Sequence, residues 1–385
     1  MISLNDINKE IAILGTGLDA VRCVYKLYNE GISVKCFLNN NSNNDTFLGH
    51  PVYDFSSYKH MGEYVIIAVG TVETYLTLSK QLAELGLEEF NDYIFYKWID
   101  RKVVLLHGNC HMLVVKSYLE SSDNFMNQYA IYPNPLIQNN KEKKISDIVL
   151  KNCEVWIHED IQRENKYGYF LSDVYIREKW LNERECKKNE IIIPHLFGLG
   201  KAFFPQSADN KRNEKIKNGQ DANGMFPHAD LIIDKCVEEG MAVNKIIAFC
   251  KGGLALDEKV VVANFEEYMG KIKEREKAWD IKIYDFILEN YQKTKLFYDE
   301  GHPTNVIFEK ICMDILKKLG VIEKKIKSDV ILDDHENPVY PVVKHCLKLE
   351  WNEGKIRKSP FAKKMCDNMN FEEYIREYLW WSYGI

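Results

Sequence analysis

Two short apolar segments that each run through a glycine turn into a helical pattern constrain the fold of this chain most strongly. Ile11–Leu14 is followed by Gly15 and Gly17, and Val103–Leu106 is followed by Gly108. A buried strand that turns at once into a helix is the repeating unit of β-α-β folds, because the helix returns over the sheet before the next parallel strand begins. The sequence therefore predicts an α/β protein with parallel sheets covered by helices.

The remaining apolar runs and amphipathic patterns extend this prediction along the chain. We expect further strands at Val34–Leu38, Val65–Val69, Tyr93–Tyr96, Val155–Ile157 and Ile191–Ile193. We expect helices over residues 18–29, 76–85, 231–239, 260–290 and 303–319, and a polar loop over 207–223. At 385 residues the chain exceeds what one hydrophobic core supports, and we divide it into domains at 1–100, 101–335 and a helical C-terminal extension at 336–385.

Composition and charge exclude several classes of protein. The formal charge of -6 lacks the basic footprint of a nucleic-acid-binding protein. No apolar run approaches the roughly 18 residues that span a bilayer, and the polar N-terminus does not resemble a signal peptide, so we expect a cytoplasmic protein without a transmembrane segment. The ten cysteines form no C-x-x-C pair, so that we expect neither a metal site nor a disulfide framework.

The first glycine turn fits the pattern of a phosphate-binding loop. Gly15 and Gly17 let backbone amides and a helix N-terminus face a phosphate, and Asn39 stands where dinucleotide-binding folds carry an acid for the ribose. Residues 10–98 resemble the small Rossmann-like domain at the front of sugar O-acyltransferases. The resemblance implies a nucleotide-sugar site at Gly15, Gly17 and Asn39, while a glycine turn that serves only helix–strand packing remains the alternative.

The second glycine turn carries a candidate nucleophile. Cys110 follows Gly108 and Asn109 and precedes a helix, and a helix N-terminus favours a thiolate. Far along the chain, Asp299 and His302 have the D-x-x-H spacing with which one loop presents an imidazole and the carboxylate that orients it. We predict that Cys110, His302 and Asp299 form a catalytic site, with Asn109 and neighbouring amides as oxyanion donors. Taken singly, Cys110 could be a core residue and Asp299 a helix cap.

These two motifs resemble an SGNH-type hydrolase with cysteine in place of serine, and more narrowly the capsular polysaccharide acetyltransferase family typified by WcbI. The similarity covers residues 102–322 and includes Gly108–His111, Ile193–Phe197, Phe226–Asp230 and Leu296–Asn305. It implies an SGNH-like α/β/α sandwich, acetyl-CoA as donor and a sugar or nucleotide-sugar hydroxyl as acceptor. Position 111 is His where many relatives carry Gln.

We also predict a wider set of residues around the substrate. The candidates for the oxyanion hole and the substrate are Gly108, Asn109, His111, Asn134, His158, His195 and Asn305. Lys211 and Arg212 are candidates for contacts with the phosphates of CoA. The resulting prediction is an O-acetyltransferase of surface polysaccharide biosynthesis, with a homo-oligomer as a further option. A carbohydrate esterase or deacetylase and a non-catalytic sugar-nucleotide-binding scaffold remain the alternatives.

Overall fold

The computed structural model describes residues 3–4, 7–40, 45–139, 144–162, 164–181, 189–210, 226–333, 335–351, 356 and 369–385. The chain forms two compact units, one of Met1–Met112 with Ser122–Ile191 and one of Leu113–Ser121 with Ile192–Ile385. The units are not divided at residues 100 and 335, so that the three-domain organisation stays a prediction. Each unit is described by itself below.

The first unit contains a sheet of six strands, which the N-terminal residues form. Its strands are β1 (Ile11–Leu14), β2 (Val34–Asn39), β3 (Thr46–Phe47), β4 (His50–Asp54), β5 (Tyr64–Ile67) and β6 (Tyr93–Phe95). They lie in the order β3-β4-β2-β1-β5-β6, and every pair except β3 with β4 is parallel. Two helices belong to this sheet, α1 (Leu18–Asn29) and α2 (Val72–Glu84). The predicted strands and helices are confirmed here, and β3 and β4 were not predicted.

A second sheet of four strands presents the Cys110 turn. Its strands are β7 (Lys102–His107), β8 (Tyr129–Tyr132), β9 (Val155–Glu159) and β10 (Asn189–Ile193), in the order β10-β9-β7-β8. Because β7 is parallel to both β8 and β9, the carboxyl ends of these three strands meet at one edge. Helix α3 (His111–Glu120) begins at that edge, and α4 (Asp123–Gln128), α5 (Asp147–Asn152) and α6 (Asp173–Leu181) complete the region.

The second unit is mostly helical. It contains a two-stranded antiparallel sheet of β11 (Ser207–Asp209) and β12 (His228–Asp230). Its helices are α3 from Leu113 onward, α7 (Leu231–Glu238), α8 (Val243–Lys251), α9 (Glu258–Arg275), α10 (Tyr284–Asn290), α11 (Asn305–Lys318), α12 (Pro341–Cys346) and α13 (Phe371–Tyr383). The prediction of a loop from Ser207 is wrong for its first residues, which form β11. Residues 211–223 of that loop lie outside the described residues.

The helix predicted over 260–290 is also wrong, because α9 and α10 are separate. The chain leaves α9 after Arg275 and buries Trp279 before α10 begins. Glu276 fixes the break, since its Oε2 accepts hydrogen bonds from the backbone N–H groups of Ile283 at 3.1 Å and Tyr284 at 3.0 Å. The amphipathic pattern continues through the break, which is why the sequence indicates a single helix.

The C-terminal extension is anchored on the N-terminus of α7. Asp230 is the N-cap of that helix, and its side chain accepts hydrogen bonds from Ile232 N and Ile233 N, each at 3.2 Å. The hydroxyl of Tyr340 donates to the same carboxylate at 2.9 Å, and that of Tyr374 lies at 3.4 Å.

In the described part of the chain, no helix is long and apolar enough to cross a membrane.

Candidate active site

The turn after β7 exposes Cys110 between two buried neighbours. Asn109 is 8% exposed and His111 is 1% exposed, whereas Cys110 is partly exposed. Of the cysteines in the described residues, only Cys110 and Cys346 are not buried. A Cβ at Gly108 would lie 3.0 Å from Met112 Cγ, so that a side chain there would push against the start of α3. The glycine turn therefore brings a thiol to the edge of the sheet.

A buried glutamate holds this turn in place. Glu159, the last residue of β9, accepts a hydrogen bond from Asn109 N at 3.2 Å with Oε2 and contacts His111 Nδ1 at 2.7 Å with Oε1. Its exposed fraction is 0%. The sequence prediction did not include Glu159. One signal for it was present, since this carboxylate follows the apolar strand Val155–Ile157. The register of β9 with β7 pairs His158 with His107 and so places Glu159 beside the turn after β7.

The two amides that flank Cys110 are already bonded. Asn109 N binds Glu159, and His111 N donates to Asn109 Oδ1 at 2.8 Å. The side chain of Asn109 therefore caps the start of α3 with its oxygen. The oxyanion donors that the turn can still offer are the side-chain NH2 of Asn109 and the backbone N–H of Cys110 itself.

Asn134 and His158 lie on the same sheet but have structural partners. Asn134 donates from Nδ2 to Leu106 O at 3.1 Å, which ties the loop after β8 to the end of β7. The His158 ring is fully buried and contacts Asp173 Oδ1 at 3.3 Å and Glu190 Oε1 at 3.0 Å. Burial by itself lowers the pKa of His158, but Asp173 and Glu190 outweigh it and raise the pKa to about 9. An interior ion-pair network accounts for this histidine.

The D-x-x-H spacing in the second unit produces the predicted dyad. Asp299 Oδ1 accepts from Gly301 N at 2.7 Å and His302 N at 2.8 Å, and Oδ2 lies 2.8 Å from His302 Nδ1. The Asp299 side chain is 1% exposed and that of His302 is 33% exposed. One buried carboxylate thus fixes both the loop and the ring, and it directs the Nε2 edge of His302 away from itself.

A second histidine shares this carboxylate. His228 Nε2 lies 3.7 Å from Asp299 Oδ2, and its Nδ1 lies 3.4 Å from Glu300 Oε1. Burial by itself raises the pKa of Asp299, but the contacts with His228 and His302 outweigh it and place that pKa well below its ordinary range. Burial by itself lowers the pKa of His228, which the two carboxylates raise to about 9. The dyad is therefore embedded in a cluster of charges that the spacing of Asp299 and His302 alone did not reveal.

The remaining predicted residues of the second unit lie in two places. His195 is partly buried in the loop that follows β10. Asn305 begins α11, where its Nδ2 donates to Val330 O at 3.2 Å and its carbonyl accepts from the Tyr118 hydroxyl at 3.1 Å. Lys211 and Arg212 lie outside the described residues.

Of the two glycines in the first glycine turn, Gly15 is required for close packing. Gly15 has φ of 127°, and a Cβ there would lie 2.5 Å from Ala68 O, so that only glycine fits beside β5. Asn39 donates from Nδ2 to Thr16 Oγ1 at 2.7 Å, which ties β2 to the turn. Gly17 has open space where a Cβ would be. A ligand at this turn stays a prediction.

The structure thus assembles each half of the predicted site within its own unit. Gly108, Asn109, Cys110 and His111 form one constellation in the first unit, and Asp299 with His302 forms the other in the second unit. The joint action of Cys110 and His302 stays a prediction.

Comparisons with known proteins identify what the chain is similar to. The family model described as "Polysaccharide biosynthesis enzyme WcbI" matches residues 103–324. A solved structure of WcbI, in its native form without a disulfide bond between coenzyme A and a cysteine, is similar with a TM-score of 0.57. That similarity covers 74% of this chain and 91% of the other, at 15% sequence identity, and shows a shared fold. A search of curated proteins gave no match.

Proposed function

Because the chain belongs to the WcbI family of polysaccharide biosynthesis enzymes, we propose that it is an acetyl-CoA-dependent O-acetyltransferase that acts on a sugar of a surface polysaccharide. The observation that carries the proposal is the partly exposed Cys110 at the start of α3, within the matched residues. The similar WcbI structure is the native protein without a disulfide bond between coenzyme A and a cysteine. This mention of coenzyme A beside a cysteine supports coenzyme A as a ligand here.

Cys110 carries the acetyl group in this proposal. Its sulfur attacks the thioester carbonyl of acetyl-CoA, the bond to the CoA sulfur breaks, and the thiol proton of Cys110 ends on the leaving CoA thiolate. The oxyanion of the tetrahedral intermediate is stabilised by the Asn109 side-chain amide and the Cys110 N–H. Exchange between two thioesters is close to isoenergetic, which suits a transferase.

His302 activates the acceptor in the second step. Its Nε2 takes the proton of the sugar hydroxyl while the oxygen attacks the acetyl-cysteine carbonyl, and the proton then passes to the departing Cys110 sulfur. Asp299 holds the other ring nitrogen and stabilises the imidazolium that forms. The products are the sugar acetate and the free thiol. The assignment of both residues to one reaction is supported by the family match, which spans both motifs.

The test is isothermal titration of the full chain with acetyl-CoA and with CoA, followed by mass spectrometry of the protein after incubation with acetyl-CoA. We expect binding and one acetyl group on Cys110. The acetyl group is absent from Cys110→Ala and retained in Cys346→Ala, which alters the other partly exposed cysteine. His302→Ala should acquire the acetyl group but fail to transfer it, whereas His345→Ala, an exposed histidine, transfers normally. Absence of binding to either ligand would remove the acyltransferase proposal.

A further inference from the structure

A pocket in the first unit is lined by four cationic side chains. It has a volume of about 440 Å³ and lies between α1 and the segment that joins β6 to β7. The cations are Arg22 and Lys26 on α1, and Lys97 and Arg101 on the joining segment. All four precede residue 103, where the family match begins, so that membership of the family does not account for them.

Two of these cations have a carboxylate partner. Arg22 pairs with Asp19 at 3.0 Å, and Lys26 pairs with Asp100 at 2.8 Å. Both basic side chains remain well exposed, at 63% and 41%, so these ion pairs contribute little to stability. Their charges are offset within the protein.

The other two cations leave the pocket with excess positive charge. Lys97 donates from Nζ to the carbonyl oxygen of Gly70 at 2.7 Å, which satisfies a hydrogen bond but does not neutralise the charge. The guanidinium of Arg101 has no hydrogen bond or ion pair with any of the described residues. With Asp19 and Asp100 already paired, the pocket has a surplus of about two positive charges.

Arg101 is the unusual member of this group because it is half-buried. Burial lowers the pKa of its guanidinium, because the charged form is less stable where water is partly excluded. A desolvated cation costs free energy unless an anion or hydrogen-bond acceptors replace the lost water. The rest of the wall is apolar or already bonded: Ile99 is buried, and the Tyr96 hydroxyl donates to Asp19. The acceptor that Arg101 lacks is therefore expected to come from outside the chain.

We propose that this pocket binds the phosphate or diphosphate group of a small molecule. The planar guanidinium of Arg101 can form two parallel hydrogen bonds with phosphate oxygens, and Lys97 adds a second full charge. The volume accommodates a diphosphate. Gly15 and Gly17 are not among the residues that line this pocket, and packing against Ala68 accounts for Gly15.

Titration of the full chain with inorganic pyrophosphate at low ionic strength tests the proposal. Wild type binds, and Arg101→Gln weakens binding by about tenfold or more, because one charge-assisted hydrogen-bond pair is lost. Lys80→Gln, which removes an exposed cation on α2 outside the pocket, leaves the affinity unchanged. Affinity also falls steeply as salt is added.

Two additions identify the source of the phosphate and protect the test against misfolding. A nucleoside diphosphate that binds tighter than pyrophosphate indicates a nucleotide ligand, and equal affinities indicate recognition of the phosphates alone. If Arg101→Gln does not fold, Lys97→Gln carries the test, with a loss of about tenfold expected because it removes the other surplus charge. The proposal is overturned if wild type does not bind pyrophosphate, or if the folded pocket variants bind it as tightly as wild type.

Discussion

At the scale of single residues, the first prediction concerns Glu159, which has two buried donors to satisfy. Its two oxygens accept from Asn109 N and contact His111 Nδ1. Glu159→Gln keeps the length of the side chain but replaces one acceptor by an NH2 group, so that one donor faces another. We expect the free energy of unfolding to fall by about 1–3 kcal/mol and acetyl transfer to fall at least about tenfold, since the Cys110 turn loses its support.

Urea unfolding and transfer rates check the Glu159 prediction. Glu88→Gln is the control, because Glu88 is an exposed glutamate of the same unit; its unfolding free energy should stay within about 0.5 kcal/mol of wild type. Wild-type stability and rate in Glu159→Gln would show that the turn does not depend on this carboxylate.

The second prediction at this scale is a pH dependence of stability that arises from His228. Its pKa is about 9 in the folded chain and ordinarily 6.5. A group whose pKa is raised by folding stabilises the folded state fully below its unfolded value, and that contribution is lost as the pH rises through the folded value. The free energy of unfolding should therefore decline between about pH 6.5 and pH 9, with His158 contributing in the same window because its pKa is also about 9.

His228→Gln separates the two histidines. We expect the variant to be less stable than wild type at about pH 6.5, by up to about 3 kcal/mol, with the difference narrowing towards pH 9. Urea unfolding at several pH values measures this, and His345→Gln, which alters an exposed histidine, should keep the wild-type profile. An unchanged slope in His228→Gln would assign the pH dependence to other groups.

At the scale of elements, the anchor of the C-terminal extension on α7 gives a third prediction. Burial raises the pKa of Asp230 to about 7, although the hydrogen bonds from Ile233 N and Tyr340 oppose this. Tyr340→Phe removes the closest side-chain donor and leaves the buried carboxylate with fewer partners. We expect a loss of about 1–3 kcal/mol in the free energy of unfolding and faster proteolysis of the chain after residue 340.

Tyr284→Phe, which removes the hydroxyl of a tyrosine in α10, is the matched control for Tyr340→Phe. The Tyr284 hydroxyl has no hydrogen bond to the described residues, so its removal should leave both stability and proteolysis at the wild-type level. If Tyr340→Phe matched this control, the extension would be attached by its apolar contacts alone.

The elements that the sequence predicted correctly are those defined by local pattern. β1, α1 and β7 each combine a continuous apolar or amphipathic run with a glycine turn, and the structure places them within a residue or two of the predicted bounds. The break between α9 and α10 was missed, because it depends on Glu276 bonding to backbone seven and eight residues away.

The candidate site shows the same division. The Asp299–His302 dyad is local in sequence, and its spacing was sufficient to predict it. Glu159 reaches Asn109 across the pairing of β7 with β9, and His228 reaches Asp299 from a distant part of the chain. Contacts of this kind depend on strand register and on tertiary packing, which one sequence does not specify.

At the scale of the whole molecule, the proposed reaction needs residues of both compact units. Cys110 belongs to the first and His302 to the second. If the two side chains serve one reaction, removal of either stops the same pathway, so that removal of the second has little further effect. Residues with independent roles would instead give effects that multiply.

A double-mutant cycle on Cys110→Ala and His302→Ala therefore gives the last prediction. We expect each single variant to reduce the rate of acetyl transfer by about 10³-fold or more, and the double variant to be no slower than the slower single variant within a factor of about three. The comparison pair is Cys110→Ala with His345→Ala, in which the second substitution should leave the rate of the Cys110 variant unchanged. The alternative result is a rate for the double variant that is reduced by the product of the two single reductions. That result would show that Cys110 and His302 act independently. In that case the cysteine would act in binding or polarisation rather than as the acetyl carrier.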